Sequence, residues 1–217
     1  MKSLLSSTKE RILSAAEQLF AETGVATTSL RTITALARVN LAAVNYHFGS
    51  KDALIEAVYE RRLGPLNKAR LAQLDQLEQE AAGKPLSVAQ IVDAFVSPVA
   101  GLTREPGKNG LVFSKLLAQT YNEAAQYVQR LMATEHQNVM RRFKTALAAA
   151  LPALSEEEVG WRLHFMSAAL HHVIANTSYM QWLDGSEGSE ADVRTAVEKL
   201  RPFLVAGLSA PAHTALS

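Results

Sequence analysis

Apolar residues recur along this chain at intervals of three and four, and no stretch of useful length alternates as a strand would. The clearest segment runs from Thr27 to Leu54. Leu30, Ile33, Leu36 and Ala37 mark one short helix, predicted over Leu30–Ala37. Ser29 stands just before it, where a hydroxyl can accept from the free N–H groups of a first turn. Arg38-Val39-Asn40 is the predicted turn, and Asn40 caps a second short helix, Leu41–Tyr46. Gly49-Ser50 closes that helix, and Ser50 caps the next, with Lys51 and Asp52 in its first turn. The expected inward set is Leu30, Ile33, Ala37, Val39 and Val44. All are apolar and modest in size, as two short helices packed closely at a steep angle require.

The flanking pattern is also helical. Thr8 opens an amphipathic helix to about Glu22, with Ile12, Ala16, Leu19 and Phe20 inward and Gly24 as its stop. Behind the short pair, a helix runs from Ser50 to about Arg62. Gly64-Pro65 predicts a break, with a new segment to Glu80, because proline removes a backbone donor. Gly83-Lys84-Pro85 is a loop, and Ser87 caps a helix to about Ala100. Arg104–Gly110 is another loop. Helices then follow over Leu111–Thr120, Asn122–Leu151, Ser155–Leu183 and Ser189–Leu208, before a frayed tail. Ser155 with Glu158 fits a capping box, and Ser189 with Asp192 a weaker one. The expected fold is all-α. A three-helix helix-turn-helix head occupies residues 1–52, and a larger helical bundle fills 53–217.

Composition narrows the function. The 217 residues suit one or two domains and include no cysteine, which rules out disulfides and thiolate metal sites. The apolar stretches are too short or too charged to span a bilayer, and residues 1–10 lack the apolar core of a secretory signal. A cytoplasmic protein with no membrane partner is expected. The net charge is only +1, but residues 1–51 carry six cations (Lys2, Lys9, Arg11, Arg31, Arg38, Lys51) against three carboxylates (Glu10, Glu17, Glu22). Placement of a few cations matters more to DNA binding than the total.

The candidate chemistry of the head follows from what is left outside. Leu41, Ala42, Ala43 and Asn45 lie on the second short helix. Small side chains let its backbone approach base edges, Ala or Leu can touch a thymine methyl, and Asn can pair with adenine. Tyr46, His47 and Lys51 suit phosphate oxygens, which fix register without reading sequence. Thr28, Ser29, Arg38 and Asn40, with the helix N-termini at Ser29 and Ser50, offer further phosphate donors.

These residues carry a resemblance. ILSAAEQLFAETG (Ile12–Gly24), TSLRTIT (Thr28–Thr34) and VNLAAVNYHFGSKDAL (Val39–Leu54) resemble the DNA-binding domain of the TetR family of bacterial transcriptional regulators. Tyr46-His47-Phe48 with Lys51 is the most specific part. The resemblance implies that Tyr46, His47 and Lys51 meet the DNA backbone and that the short helix from Leu41 reads bases. It also implies a homodimer with a helical ligand-binding domain behind the head. One departure stands out: the turn position that is usually glycine in the family is Arg38 here. A left-handed backbone there would cost about 1 kcal/mol.

The remaining helices carry two expectations. Trp161, Leu163, Phe165, Met166, Leu170, Val173, Ile174, Met180 and Trp182 place apolar groups on more than one face, so a partner should cover part of them. By resemblance, the last two helices would form a four-helix bundle across a two-fold axis and set two heads to read a palindromic operator. The second expectation is an apolar ligand site lined by Phe95, Val99, Leu102, Phe113, Leu117, Tyr121, Phe143, Phe165, Met166 and His172. Each residue is also ordinary core material. WRLHFM (Trp161–Met166), together with the head motif, resembles a branch of the family that senses fatty acids and acyl conjugates, and favours an apolar or acylated effector.

Catalysis and metal binding find little support. His164 and His171 are seven residues apart, too far along a helix for one ion, and no cysteine joins them. There is no glycine-rich phosphate loop, nucleophile elbow or acid pair, and Glu156-Glu157-Glu158 suits the dipole of a helix start. The expectation is therefore no catalytic residue, no metal and no cofactor. The partners are a double-stranded DNA operator, a small-molecule effector and a second copy of the chain. The alternative class is a helical enzyme or adaptor that binds no DNA.

Overall fold

The computed structural model describes residues 7–99, 133–176 and 193–212. Among these there are eight α-helices and no strand. They are α1 (Thr8–Thr23), α2 (Leu30–Ala37), α3 (Leu41–Phe48), α4 (Lys51–Ala81), α5 (Val88–Val96), α6 (Ala133–Ala150), α7 (Glu156–Ala175) and α8 (Val193–Ser209). By their contacts the described residues divide into two units at Pro65, beyond the boundary expected at residue 52. Residues 7–65 and 133–134 belong to the first. Residues 66–99, 135–176 and 193–212 belong to the second.

Local capping sets the first unit. Ser7, Ser29 and Asn40 each accept a backbone N–H three residues on and so start α1, α2 and α3. Gly24 ends α1 at φ 90°, a backbone region that disfavours side chains. α1 packs on α2 and α3, and Ile12, Ala16, Phe20, Ile33, Ala37 and Val44 form the shared core. Leu54, Ile55, Val58 and Tyr59 of α4 are buried as well, which is why this unit continues past residue 52. Leu30, Leu19 and Val39 are only half-buried, less enclosed than their periodicity suggests. α3 also extends to Phe48, one residue short of Gly49, whose N–H bonds the Asn45 carbonyl.

Two elements correct the sequence pattern. Gly64-Pro65 does not break the chain: α4 is one helix of 31 residues with Pro65 inside it. Pro65 forfeits one backbone hydrogen bond, but Leu63, Leu66 and Leu74 are buried on both sides of it, and that burial outweighs one lost bond. α7 ends at Ala175 rather than Leu183. Asn176 leaves helical geometry at φ −128°, and its Nδ2 donates to the His172 carbonyl at 3.1 Å. The predicted helix over Leu111–Thr120 and the pairing of Ser189 with Asp192 lie outside the described residues.

In the second unit, α8 packs on both α5 and α7. Ser87 and Gln90 make a full capping box at the start of α5. Ser155 caps α7, but Glu158 turns to Arg162 instead of reaching back, so only half of the expected box forms. Arg162 is buried and donates to the carbonyls of Leu208, Ala210 and Pro211, closing the end of α8.

Candidate nucleic-acid interface

α3 is held from beneath and free above. Val44 is completely buried, whereas Leu41 is 43% and Tyr46 86% exposed. Ala42 and Asn45 are exposed beside them, and Ala43 is half-buried. One edge of α3 therefore carries a Leu, an Ala, an Asn and a Tyr on an eight-residue rod. Those are the side chains that can touch a thymine methyl, pair with adenine and meet a phosphate.

The neighbouring groups are built to hold that edge in place. Asn40 Oδ1 accepts from the Ala43 N–H at 2.9 Å, so its acceptor caps α3 rather than facing a ligand. Ser29 Oγ accepts from the Thr32 N–H at 3.1 Å and lies 2.8 Å from the Thr32 hydroxyl. His47 is half-buried, with its ring against Tyr46 on one side and Phe48 on the other. The Lys9 ammonium lies 5.9 Å from the centre of the Phe48 ring.

Two expected phosphate groups are already engaged. Thr28 is only 3% exposed, and its hydroxyl donates to the Gly24 carbonyl at 2.6 Å. It braces the loop and is not presented to solvent. The Lys51 ammonium donates to the Val25 carbonyl at 2.7 Å. This bond uses one of three N–H donors, and a phosphate could take another.

Arg38 occupies the turn in left-handed geometry, φ 54° and ψ 49°, as a glycine position would. Its N–H closes the end of α2, and its side chain is exposed. The strain is offset by a contact the sequence pattern does not reveal. Arg11 donates to the Ala37 carbonyl at 2.8 Å and to the Arg38 carbonyl at 2.6 Å. A guanidinium on the last carbonyls of α2 also complements that helix's negative end. Nothing local in the sequence links Arg11 to residues 26 and 27 positions later.

A second hidden brace joins α1 to α4. Glu17 is 2% exposed and binds both Arg61 and Arg62, the latter at 2.6 Å. A carboxylate buried against two cations is an ion pair that holds orientation. Arg31, Arg38 and Lys9 remain as exposed cations on this unit.

The expected ligand-site residues separate into two groups. Phe95, Val99, Phe143 and Met166 are buried, and the Phe95 and Phe143 rings meet edge to face at 5.0 Å. Phe165 and His172 are exposed instead. Phe165 stacks on Trp161 and, with Met166, Phe203 and Leu204, lines an open groove of about 300 Å³ on α7 and α8. It belongs to an outer face, because it directly precedes the buried Met166 and adjacent helical residues point about 100° apart. Leu102, Phe113, Leu117 and Tyr121 lie outside the described residues, as do Met180 and Trp182. Among the described residues no cluster of His, Asp or Glu could hold a metal ion, and no helix is long and apolar enough to cross a membrane.

Residues 12–58 match the family described as bacterial regulatory proteins, tetR family. Residues 93–207 match the family of tetracyclin repressor-like C-terminal domains. The HTH-type transcriptional repressor Rv3405c of Mycobacterium tuberculosis is 53% identical over 49 residues, 23% of this chain and 26% of the repressor. That match therefore spans about a quarter of the relative's own length. The fold is shared more widely. FadR of Bacillus halodurans, a fatty acid degradation regulator, superposes with a TM-score of 0.62 at 14% identity, over 94% of this chain and 98% of that one. PfmR of Thermus thermophilus, a TetR family transcriptional regulator, gives 0.59 at 17% identity, over 95% and 100%. The two domain matches cover the head and more than half of the whole, and the chain belongs to the TetR family of bacterial regulatory proteins.

Proposed function

We propose that this chain is a homodimeric, ligand-responsive regulator of transcription: a repressor that leaves a palindromic operator when a small, mostly apolar effector binds. The observation that carries it is the free outer edge of α3, where Leu41, Asn45 and Tyr46 are exposed while Val44 anchors the helix from below. A short helix presented this way is the form in which a helix-turn-helix enters the major groove. The repressor name of the Mycobacterium tuberculosis relative supports the sign of regulation.

Pairing of two copies rests on α7 and α8. Trp161, Phe165 and Phe203 are all more than half exposed on those helices, a costly arrangement for a lone chain in water. A two-fold contact there would bury them and set two heads roughly 34–36 Å apart, one turn of DNA. The effector is expected among the buried apolar residues of the second unit. FadR's description as a fatty acid degradation regulator favours an apolar chain. α4 contributes residues to both units and is the proposed lever. An effector releases DNA only by binding the released conformation more tightly than the DNA-bound one.

The test is to sequence the duplex fragments that the purified protein retains from random DNA. The account predicts one enriched palindrome with half-sites about a helical turn apart. Recovery without sequence enrichment contradicts it.

A further inference from the structure

Among the described residues, the second unit contains a buried cation with no counter-charge. Arg70 is 2% exposed, the largest fully enclosed side chain among the described residues. Its Nε donates to the Phe95 carbonyl at 2.9 Å, and its guanidinium carbon stands 3.9 Å from the centre of the Phe95 ring. Among the described residues it forms no ion pair, in contrast to Arg142, Arg162 and Arg201 of the same unit. Desolvation pushes its pKa down to about 9, so it is still charged at neutral pH.

One helical turn earlier on the same face lies Asn67, 6% exposed, whose Oδ1 is buried without a hydrogen-bond partner among the described residues. Among the described residues, a buried oxygen without a donor and a buried cation without a counter-charge thus lie one helical turn apart. Buried charge without a partner is rare because its hydration is lost with little in return. Among the described residues, one carbonyl and one ring engage only part of the guanidinium, which carries five donors. The fork of a guanidinium matches a carboxylate or phosphate edge. The Asn67 amide can accept from a neighbouring hydroxyl or, turned over, donate to the same anion.

We propose that Arg70, with Asn67 beside it, is the charge-reading end of the effector site, and that the effector is an acidic amphiphile: an anionic head on an apolar chain. This rests on the reading of the chain as a ligand-responsive regulator. It deepens that reading by naming the residues that recognise the head. The surrounding core supplies the apolar part, with Phe95 stacked under the guanidinium and Phe143 against Phe95. An uncharged chain would leave Arg70 as unpaired as before, so the site discriminates by charge.

The experiment is calorimetry on the full chain with octanoate, dodecanoate and hexadecanoate, their matching 1-alkanols, and dodecyl phosphate. Wild-type protein is expected to bind at least one acid about tenfold or more tightly than its alcohol. Arg70→Met should bring the acid-to-alcohol ratio to about one while keeping alcohol affinity. Arg70→Lys, which retains the charge, should keep part of the preference and serves if Arg70→Met does not fold. Tighter binding of dodecyl phosphate than of dodecanoate, lost in Arg70→Met, supports the anion site and identifies a phosphate head. The proposal is overturned if no anion binds, or if the ratio in Arg70→Met equals that of wild type. Retention of duplex DNA by the same preparation is scored separately. Protein that holds DNA but no anion refutes only this assignment, whereas protein that binds acid but no DNA refutes the regulator.

Discussion

The Lys51 ammonium donates to the Val25 carbonyl at 2.7 Å and fastens the first turn of α4 to the loop ahead of α2. The residue therefore acts on the framework under α3 as well as on any phosphate nearby. Lys51→Met is expected to lower unfolding free energy by about 1 kcal/mol, the worth of a partly exposed charged hydrogen bond. It should also weaken DNA binding on every sequence alike. Denaturant unfolding alongside mobility shifts checks both. Lost affinity with unchanged stability would assign Lys51 to phosphate contact alone.

Arg38 separates strain from charge in the same way. Its left-handed backbone costs an arginine about 1 kcal/mol relative to glycine. Arg38→Gly should thus raise the melting temperature while removing one exposed cation from the head. The expected pair of results is higher stability with a shallower salt dependence of DNA binding. A variant that melts lower would show that the guanidinium supports the fold.

Glu17 with Arg61 and Arg62 invites a double-mutant cycle. Either arginine alone keeps the buried carboxylate paired, so Arg61→Ala should cost about 1 kcal/mol. Removing both strands a charge that is 2% exposed, and a loss of about 3–5 kcal/mol is expected. Chemical denaturation of the four proteins measures the coupling. Simple additivity would mean that Glu17 finds another partner.

Phe203 is 71% exposed on α8 and is the most open of the aromatic residues on that face. Phe203→Glu adds a charge where a lone chain would not notice it and a two-fold interface would. Light scattering is expected to report a dimer for wild type and a monomer for the variant at the same concentration. A variant that still dimerises would place the interface elsewhere.

How much of this was legible in the sequence depended on distance along the chain. α2 and α3 could be placed because their signals are local: Ser29 and Asn40 bond residues three positions away. The break expected at Gly64-Pro65 failed because burial of Leu63 and Leu66 decides that segment, and proline's local penalty does not. Thr28 read as a free hydroxyl, since no pattern reveals that its side chain folds back on Gly24. The braces that hold the interface, Arg11 to Ala37, Lys51 to Val25 and Glu17 to Arg61, span 26 to 44 positions and leave no periodic trace. Phe165 and His172 fitted an apolar stripe by composition, but only the packing of α7 decides which side of that stripe meets solvent.

The central claim is that the outer edge of α3 enters duplex DNA, and Leu41→Glu tests it most directly. Leu41 is 43% exposed, so the substitution should leave the unfolding free energy within about 1 kcal/mol of wild type. A carboxylate placed there would face bases and phosphates. The account predicts that affinity for the retained duplex falls by about a hundredfold or more in a mobility shift. Unchanged affinity in a folded Leu41→Glu protein would contradict it.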